Sequence, residues 1–233
     1  MSEVARQLEM LDAVSEPAAV RFDTGRDLSG SVAVLPSAYN PPTVAHHHLL
    51  ERAVQSFHLN GAMALLTTRN VDKDLHGASL QDRVGMLLAL AESWSELVIV
   101  ASNQARIVDQ ALALTSTFPG VQFDFVVGFD TLERLFAPRY YSDMVNELRP
   151  FFARHRVLAA NRGAVETLGV QEWVLANAKT FATRIEFLEI EEAPAAMSST
   201  HVRRSIAAGI EHDHLMEPVE RYIREHGLYL DEG

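Results

Sequence analysis

The chain contains no cysteine in 233 residues, so disulfides, thiolate metal centres and cysteine nucleophiles are excluded. Lysine is nearly absent as well. It occurs only at Lys73 and Lys179, and arginine supplies the other fixed cations. Basic residues number 20 against 31 acidic ones, a formal net charge of −11, which argues against a broad nucleic-acid-binding surface. It leaves room for a small basic pocket that takes an anionic ligand. No apolar run reaches the roughly 18–20 residues that span a bilayer. The opening stretch from Met1 to Pro17 carries acidic residues where a secretory signal has a basic head and an apolar centre. A cytoplasmic location is expected, with neither nucleic acid nor membrane as a partner, and the sequence is compatible with a homo-oligomer.

What is present is the balance of a globular protein, 48% hydrophobic and 22% charged, in a chain long enough to bury a substantial core. Residues 1–30 read as an N-terminal extension. Val4, Leu8, Leu11 and Val14 fall at near-helical spacing, Pro17 interrupts, and a turn-rich stretch runs from Thr24 to Gly30. Residues 31–233 read as one domain in which strands alternate with helices. Short apolar runs at 31–35, 62–66, 97–101, 123–127, 156–160 and 185–190 predict strands. Helical spacing predicts helices at 43–57, 81–92, 107–118, 131–136, 200–208 and 219–226. The alternation predicts an α/β fold, a Rossmann-like doubly wound parallel sheet of about six strands with helices on both faces. Ligands of such sheets bind beyond the carboxyl ends of the strands, at the switch point of strand order.

Two segments carry chemistry. The first follows the first predicted strand and reads Ser37-Ala38-Tyr39-Asn40-Pro41-Pro42-Thr43-Val44-Ala45-His46. It is a tight turn, a natural N-cap at Thr43, and a histidine in the first turn of a helix. Helix starts favour phosphate because unpaired N–H groups and the positive end of the dipole point outward. The second reads Met197-Ser198-Ser199-Thr200-His201-Val202-Arg203-Arg204, hydroxyl residues before a helix with arginines in its first turns. Each alone also reads as ordinary capping chemistry.

Together they resemble the nucleotidylyltransferase superfamily, whose motifs are written (H/T)xGH and ISSTxxR, and more closely its nicotinamide/nicotinate mononucleotide adenylyltransferase family. The strand end Val127-Gly128-Phe129-Asp130 resembles that family's G-x-D. The stretch Leu158-Ala159-Ala160-Asn161-Arg162 resembles the strand that follows, and residues 202–209 and 219–229 resemble its closing helices. The resemblance implies a reaction of ATP, carried with Mg²⁺, and a pyridine mononucleotide to give a dinucleotide and pyrophosphate. It implies His46 and Arg203 as catalytic residues. Ser37, Tyr39, Thr43, Gly128, Asp130, Ser198, Ser199 and Thr200 fall at the ATP and its phosphates, and Lys73 and Tyr140 at the mononucleotide.

The departures are specific. Ser37 stands where the family has a strand-end glycine, and Ala45 stands just before His46 in place of a glycine or methionine. The loop that often carries a stacking tryptophan holds Phe136, Arg139, Tyr140 and Tyr141, while Trp94 and Trp173 are expected to pack in or beside the core. No metal held by the protein itself is expected. The consecutive side chains of His46, His47 and His48 diverge by about 100° on a helix, and Glu211-His212-Asp213-His214 reads as a polar turn between helices. Two other readings stay open: a different phosphorylated acceptor on the same fold, or a nucleotide-binding regulator without catalysis.

Overall fold

The computed structural model describes residues 2–25, 27–69, 77–161, 167–190 and 198–230. Seven strands form one sheet: β1 (Ala19–Arg21), β2 (Ser31–Ser37), β3 (Gly61–Thr67), β4 (Leu97–Ser102), β5 (Gln122–Gly128), β6 (Arg156–Ala160) and β7 (Ile185–Leu188). Their order is β1-β4-β3-β2-β5-β6-β7. β1 is antiparallel to β4, and every other pairing is parallel. The helices are α1 (Glu3–Asp12), α2 (Val44–Phe57), α3 (Leu80–Ser93), α4 (Ile107–Thr117), α5 (Phe129–Leu135), α6 (Met144–Arg154), α7 (Thr167–Asn177), α8 (Ser199–Ala207) and α9 (Glu217–His226).

The strands are apolar on both sides because helices cover both faces. Along β2, Ala33 and Leu35 enter one core while Val32 and Val34 enter the other. β3 divides likewise between Ala62, Ala64 and Leu66 on one side and Met63 and Leu65 on the other. This period-two division is what an alternating strand gives when each face has its own helical layer.

The N-terminal extension is woven into this body. Leu8 and Leu11 of α1 are buried, and β1 adds a seventh strand to the six expected. Asn103, buried just past β4, holds the connection between them. Its side-chain amide donates to the carbonyls of Val14 at 2.7 Å and Glu16 at 2.9 Å, and its Oδ1 accepts from the Ala18 N–H at 2.9 Å. Two helices that the periodicity did not single out, α6 and α7, cover the second face.

The register of the central strands opens the cleft. β2 pairs with β3 through to Ser37↔Leu66, whereas its pairing with β5 stops at Val34↔Phe125. Beyond Val34 the two central strands part at the point where strand order reverses, where the crevice of such a sheet lies. Pro36 sits in this unpaired flank, so its missing N–H costs no ladder bond on that side.

Candidate active site

The turn after β2 is held from three sides through Asn40. Its Oδ1 accepts from the Ala78 N–H at 3.1 Å and from the Tyr229 hydroxyl at 2.9 Å, and its carbonyl accepts from the Arg203 guanidinium at 2.7 Å. Tyr39, at φ +46°, is buried, and its hydroxyl donates to the Leu35 carbonyl at 2.6 Å. Burial pushes that phenol well above its ordinary pKa. The turn therefore delivers the chain to Thr43, the N-cap of α2, in a fixed direction.

His46 is the third residue of α2, and its side chain reaches back to the cap. Nδ1 accepts from the Thr43 N–H at 3.0 Å, with Thr43 Oγ1 2.8 Å from the same nitrogen. A ring that accepts at Nδ1 carries its proton on Nε2. Nε2 faces Ser37 Oγ at 3.0 Å, and Tyr39 packs against the ring at 4.9 Å between centroids. The imidazole is therefore locked in one tautomer and one orientation, with an N–H aimed at the end of β2.

The start of α8 docks beside it. Ser198 caps the helix by accepting from the His201 N–H at 3.2 Å, and Ser199 Oγ donates to the Pro41 carbonyl at 2.9 Å. The cap leaves the amides of Ser199 and Thr200 at the first two helical positions as helix-start donors. The turn between α8 and α9 also touches α2, since the His214 carbonyl accepts from the Val44 N–H at 2.9 Å. The expected polar turn at 211–214 thus also caps the helix that carries His46.

A cavity of about 280 Å³ lies between these elements. Ser37, His46, Gly128, Asp130, Ser198 and Ser199 line it, together with Ala45, Thr131, Arg134 and Asn161. A second cavity of about 250 Å³ adjoins it and shares Pro36, Ser37, Thr131 and Arg134. It extends past Thr67, Arg69, Arg106 and Gln110 to Tyr140 and Tyr141. Arg106 pairs with Asp109 at 2.7 Å, donates to the Tyr140 carbonyl at 2.7 Å and lies over the Tyr141 ring. Arg139 donates to the Tyr140 hydroxyl at 2.7 Å. The Tyr141 hydroxyl donates to the Leu135 carbonyl at 2.7 Å, and burial pushes its pKa up to about 12.

Of the residues expected at the site, Ser37, His46, Gly128, Asp130, Ser198, Ser199 and Tyr140 are brought to these cavities. Four differ. The Tyr39 side chain is spent on the core and its carbonyl contact, so it supports the imidazole from behind. Thr43 is buried against His46. Arg203 is 6% exposed and braces the turn from inside, outside the cavity lining. Thr200 is exposed and is not among the lining residues. Lys73 and Arg162 lie outside the described residues. Phe136 is stacked on Phe152 in the core, and Trp173 packs edge-on against Phe129. Trp94 packs edge-on against His47.

Arg134 was not anticipated. It lines both cavities from α5 and donates to Thr131 Oγ1 at 3.0 Å. Its spacing was the available signal: four residues after Asp130 and three after Thr131, it shares their helical face.

Paired helix starts thus meet at the switch point of a parallel sheet, where α/β proteins bind ligands, and comparison with known proteins gives the class as a nucleotidyltransferase. The cytidylyltransferase-like family model matches residues 34–205, and the chain belongs to that family. Within it, the chain groups with the nicotinate-nucleotide adenylyltransferases. A protein of Synechococcus sp. strain JA-2-3B'a(2-13), named probable nicotinate-nucleotide adenylyltransferase, is 32% identical over 85% of this chain and 96% of its own. A protein of the same name from Neisseria meningitidis serogroup B is 25% identical over 85% of this chain and 98% of its own. In fold, the chain matches the Plasmodium falciparum nicotinic acid mononucleotide adenylyltransferase complexed with NaAD. The TM-score is 0.65 at 14% identity, covering 86% of this chain and 97% of that one. No helix among the described residues is long and apolar enough to cross a membrane.

Proposed function

We propose that the chain transfers the adenylyl group of ATP to a pyridine mononucleotide, nicotinate mononucleotide in preference to nicotinamide mononucleotide, as a cytoplasmic step of NAD biosynthesis. One observation carries this reading. The cavity bounded by His46, Gly128, Asp130, Ser198 and Ser199 shares the wall Pro36, Ser37, Thr131 and Arg134 with a second, arginine-bearing cavity that is also lined by Tyr140 and Tyr141. The first has the helix starts that suit a triphosphate, and the second has the aromatic and cationic groups that suit a phosphorylated aromatic acceptor. The choice of nicotinate follows the names of the relatives.

In this mechanism a phosphate oxygen of the mononucleotide attacks the α-phosphorus of ATP. A new P–O bond forms, the bond from the α-phosphorus to the bridging oxygen breaks, and pyrophosphate leaves. The attacking oxygen is already anionic at neutral pH, so no general base is needed. Catalysis is then positioning and charge stabilisation. His46, held in that orientation by Thr43, gives its Nε2–H to the α-phosphate in place of Ser37 Oγ as charge builds there. Ser198, Ser199 and the start of α8 hold the β,γ-phosphates. Gly128 and Asp130 border the adenosine, and Arg134 stands between the two substrates. The family resemblance gives Lys73, outside the described residues, the mononucleotide phosphate or the polyphosphate. Thr43 and Arg203 act through their neighbours, one by orienting His46 and the other by fixing the Asn40 turn.

Mg²⁺ enters as part of the ATP substrate. Mg²⁺ on a triphosphate keeps several waters and needs few protein ligands.

The test is pyrophosphate release from ATP and Mg²⁺ with a panel of mononucleotides. Turnover highest with nicotinate mononucleotide is expected. Turnover with a different phosphorylated acceptor alone would reassign the substrate, and ATP binding without turnover on any acceptor would make the chain a regulator.

A further inference from the structure

Beside the cleft, one flank of α2 carries three metal-type donors that the reaction does not use. His47, His48 and Glu51 each offer one ligand atom, and the three atoms lie within 4.8 Å of one another. All three side chains are half-buried. Helix geometry explains the convergence. Glu51 stands four residues after His47 and three after His48, so its carboxylate is a neighbour of both imidazoles. Three successive histidines fan out around the helix, but two of them joined by a long carboxylate one turn later do not.

The group is also unsatisfied. None of the three side chains is engaged in a hydrogen bond or ion pair among the described residues. Nδ1 of His47 is shielded from solvent with no hydrogen-bond partner there, an arrangement that folded proteins rarely leave unexplained. The ring is fixed from its other side by Trp94, edge-on at 4.8 Å. His48 lies 6.0 Å from it, centroid to centroid.

We propose that His47, His48 and Glu51 bind one divalent transition ion of the zinc class, with water completing its coordination. Two imidazoles and a carboxylate match Zn²⁺, Co²⁺, Ni²⁺ or Cu²⁺, whereas Mg²⁺ prefers oxygen ligands throughout. At zinc-like bond lengths, tetrahedral donors sit about 3.3 Å apart, so binding requires the three atoms to close from separations of up to 4.8 Å. This site is separate from the ion that accompanies ATP and does not depend on the substrate assignment.

The experiment uses the full chain stripped of metal and titrated with Co²⁺ and then Zn²⁺, without nucleotide. One equivalent of Co²⁺ should produce visible d–d absorption that Zn²⁺ abolishes, and should quench Trp94 fluorescence. Trp94→Phe should remove that quenching and keep the absorption. His48→Ala and the isosteric Glu51→Gln should each weaken Zn²⁺ binding by more than about tenfold, while paired His212→Ala and His214→Ala changes leave it unaltered. Both test positions are partly solvent-exposed, and an unchanged thermal midpoint shows that the fold is kept. Zn²⁺ affinity unmoved by His48→Ala and Glu51→Gln, or lost only with His212 and His214, overturns the proposal. So does the lack of any binding at micromolar Zn²⁺.

Discussion

The Arg203 guanidinium donates to the Asn40 carbonyl at 2.7 Å, joining residues 163 positions apart. The contact locks the start of α8 to the turn that leads into α2. Arg203→Ala leaves a buried carbonyl short of a charge-assisted partner and should destabilise the chain by about 1–3 kcal/mol. Arg203→Lys should recover part of that. Urea denaturation, read beside kcat at full occupancy, separates bracing from chemistry. If Arg203→Ala lowers kcat at unchanged stability, the bracing role is wrong.

His46→Ala should lower kcat far more than it raises the KM for ATP, because the Nε2–H contact strengthens as charge develops on the α-phosphate. By analogy with removing one oxyanion donor, roughly 2–4 kcal/mol of transition-state stabilisation should be lost. Steady-state kinetics check this, and near-intact turnover would remove His46 from the mechanism.

Gly128 has φ −75°, which any residue adopts, and a Cβ built there meets nothing within 4 Å. Its space belongs to the cleft. Gly128→Ala should therefore leave the thermal midpoint unchanged while raising the KM for ATP. A comparable loss of stability would mean that the glycine serves the fold.

His155 gives the fold a pH limb. It is buried, its Nδ1 accepts from the Phe123 N–H at 3.2 Å, and burial depresses its pKa from the ordinary 6.5 to about 4. Between those values the unfolded chain holds a proton that the folded chain does not, so stability is full above about pH 6.5 and falls as pH drops toward 4. The loss from this group approaches about 3 kcal/mol at the acid end. His155→Gln should flatten that limb in urea denaturation measured across the range. An unchanged slope would place the titration elsewhere.

Parallel strands announced themselves in the sequence because burial on both faces forces continuous apolar runs, and the six expected strands sit in the observed sheet. β1 was missed because Ala19–Arg21 is three residues long and has no pattern of its own; it is a strand only because β4 offers it an edge. α7 was missed because its apolar residues do not gather on one side: Leu168 and Leu175 are exposed while Val170 and Val174 are buried.

The sequence by itself determined six of the seven strands, the capped helix starts and the motif that carries His46, because capping and periodicity are local properties of the chain. Only the tertiary structure decided which expected residues reach the cleft. It packed Tyr39, Thr43 and Arg203 against neighbouring parts of the chain and brought Arg134 to the wall that the two cavities share. Whether a side chain faces ligand or neighbour depends on what packs against it, and those partners come from distant parts of the chain.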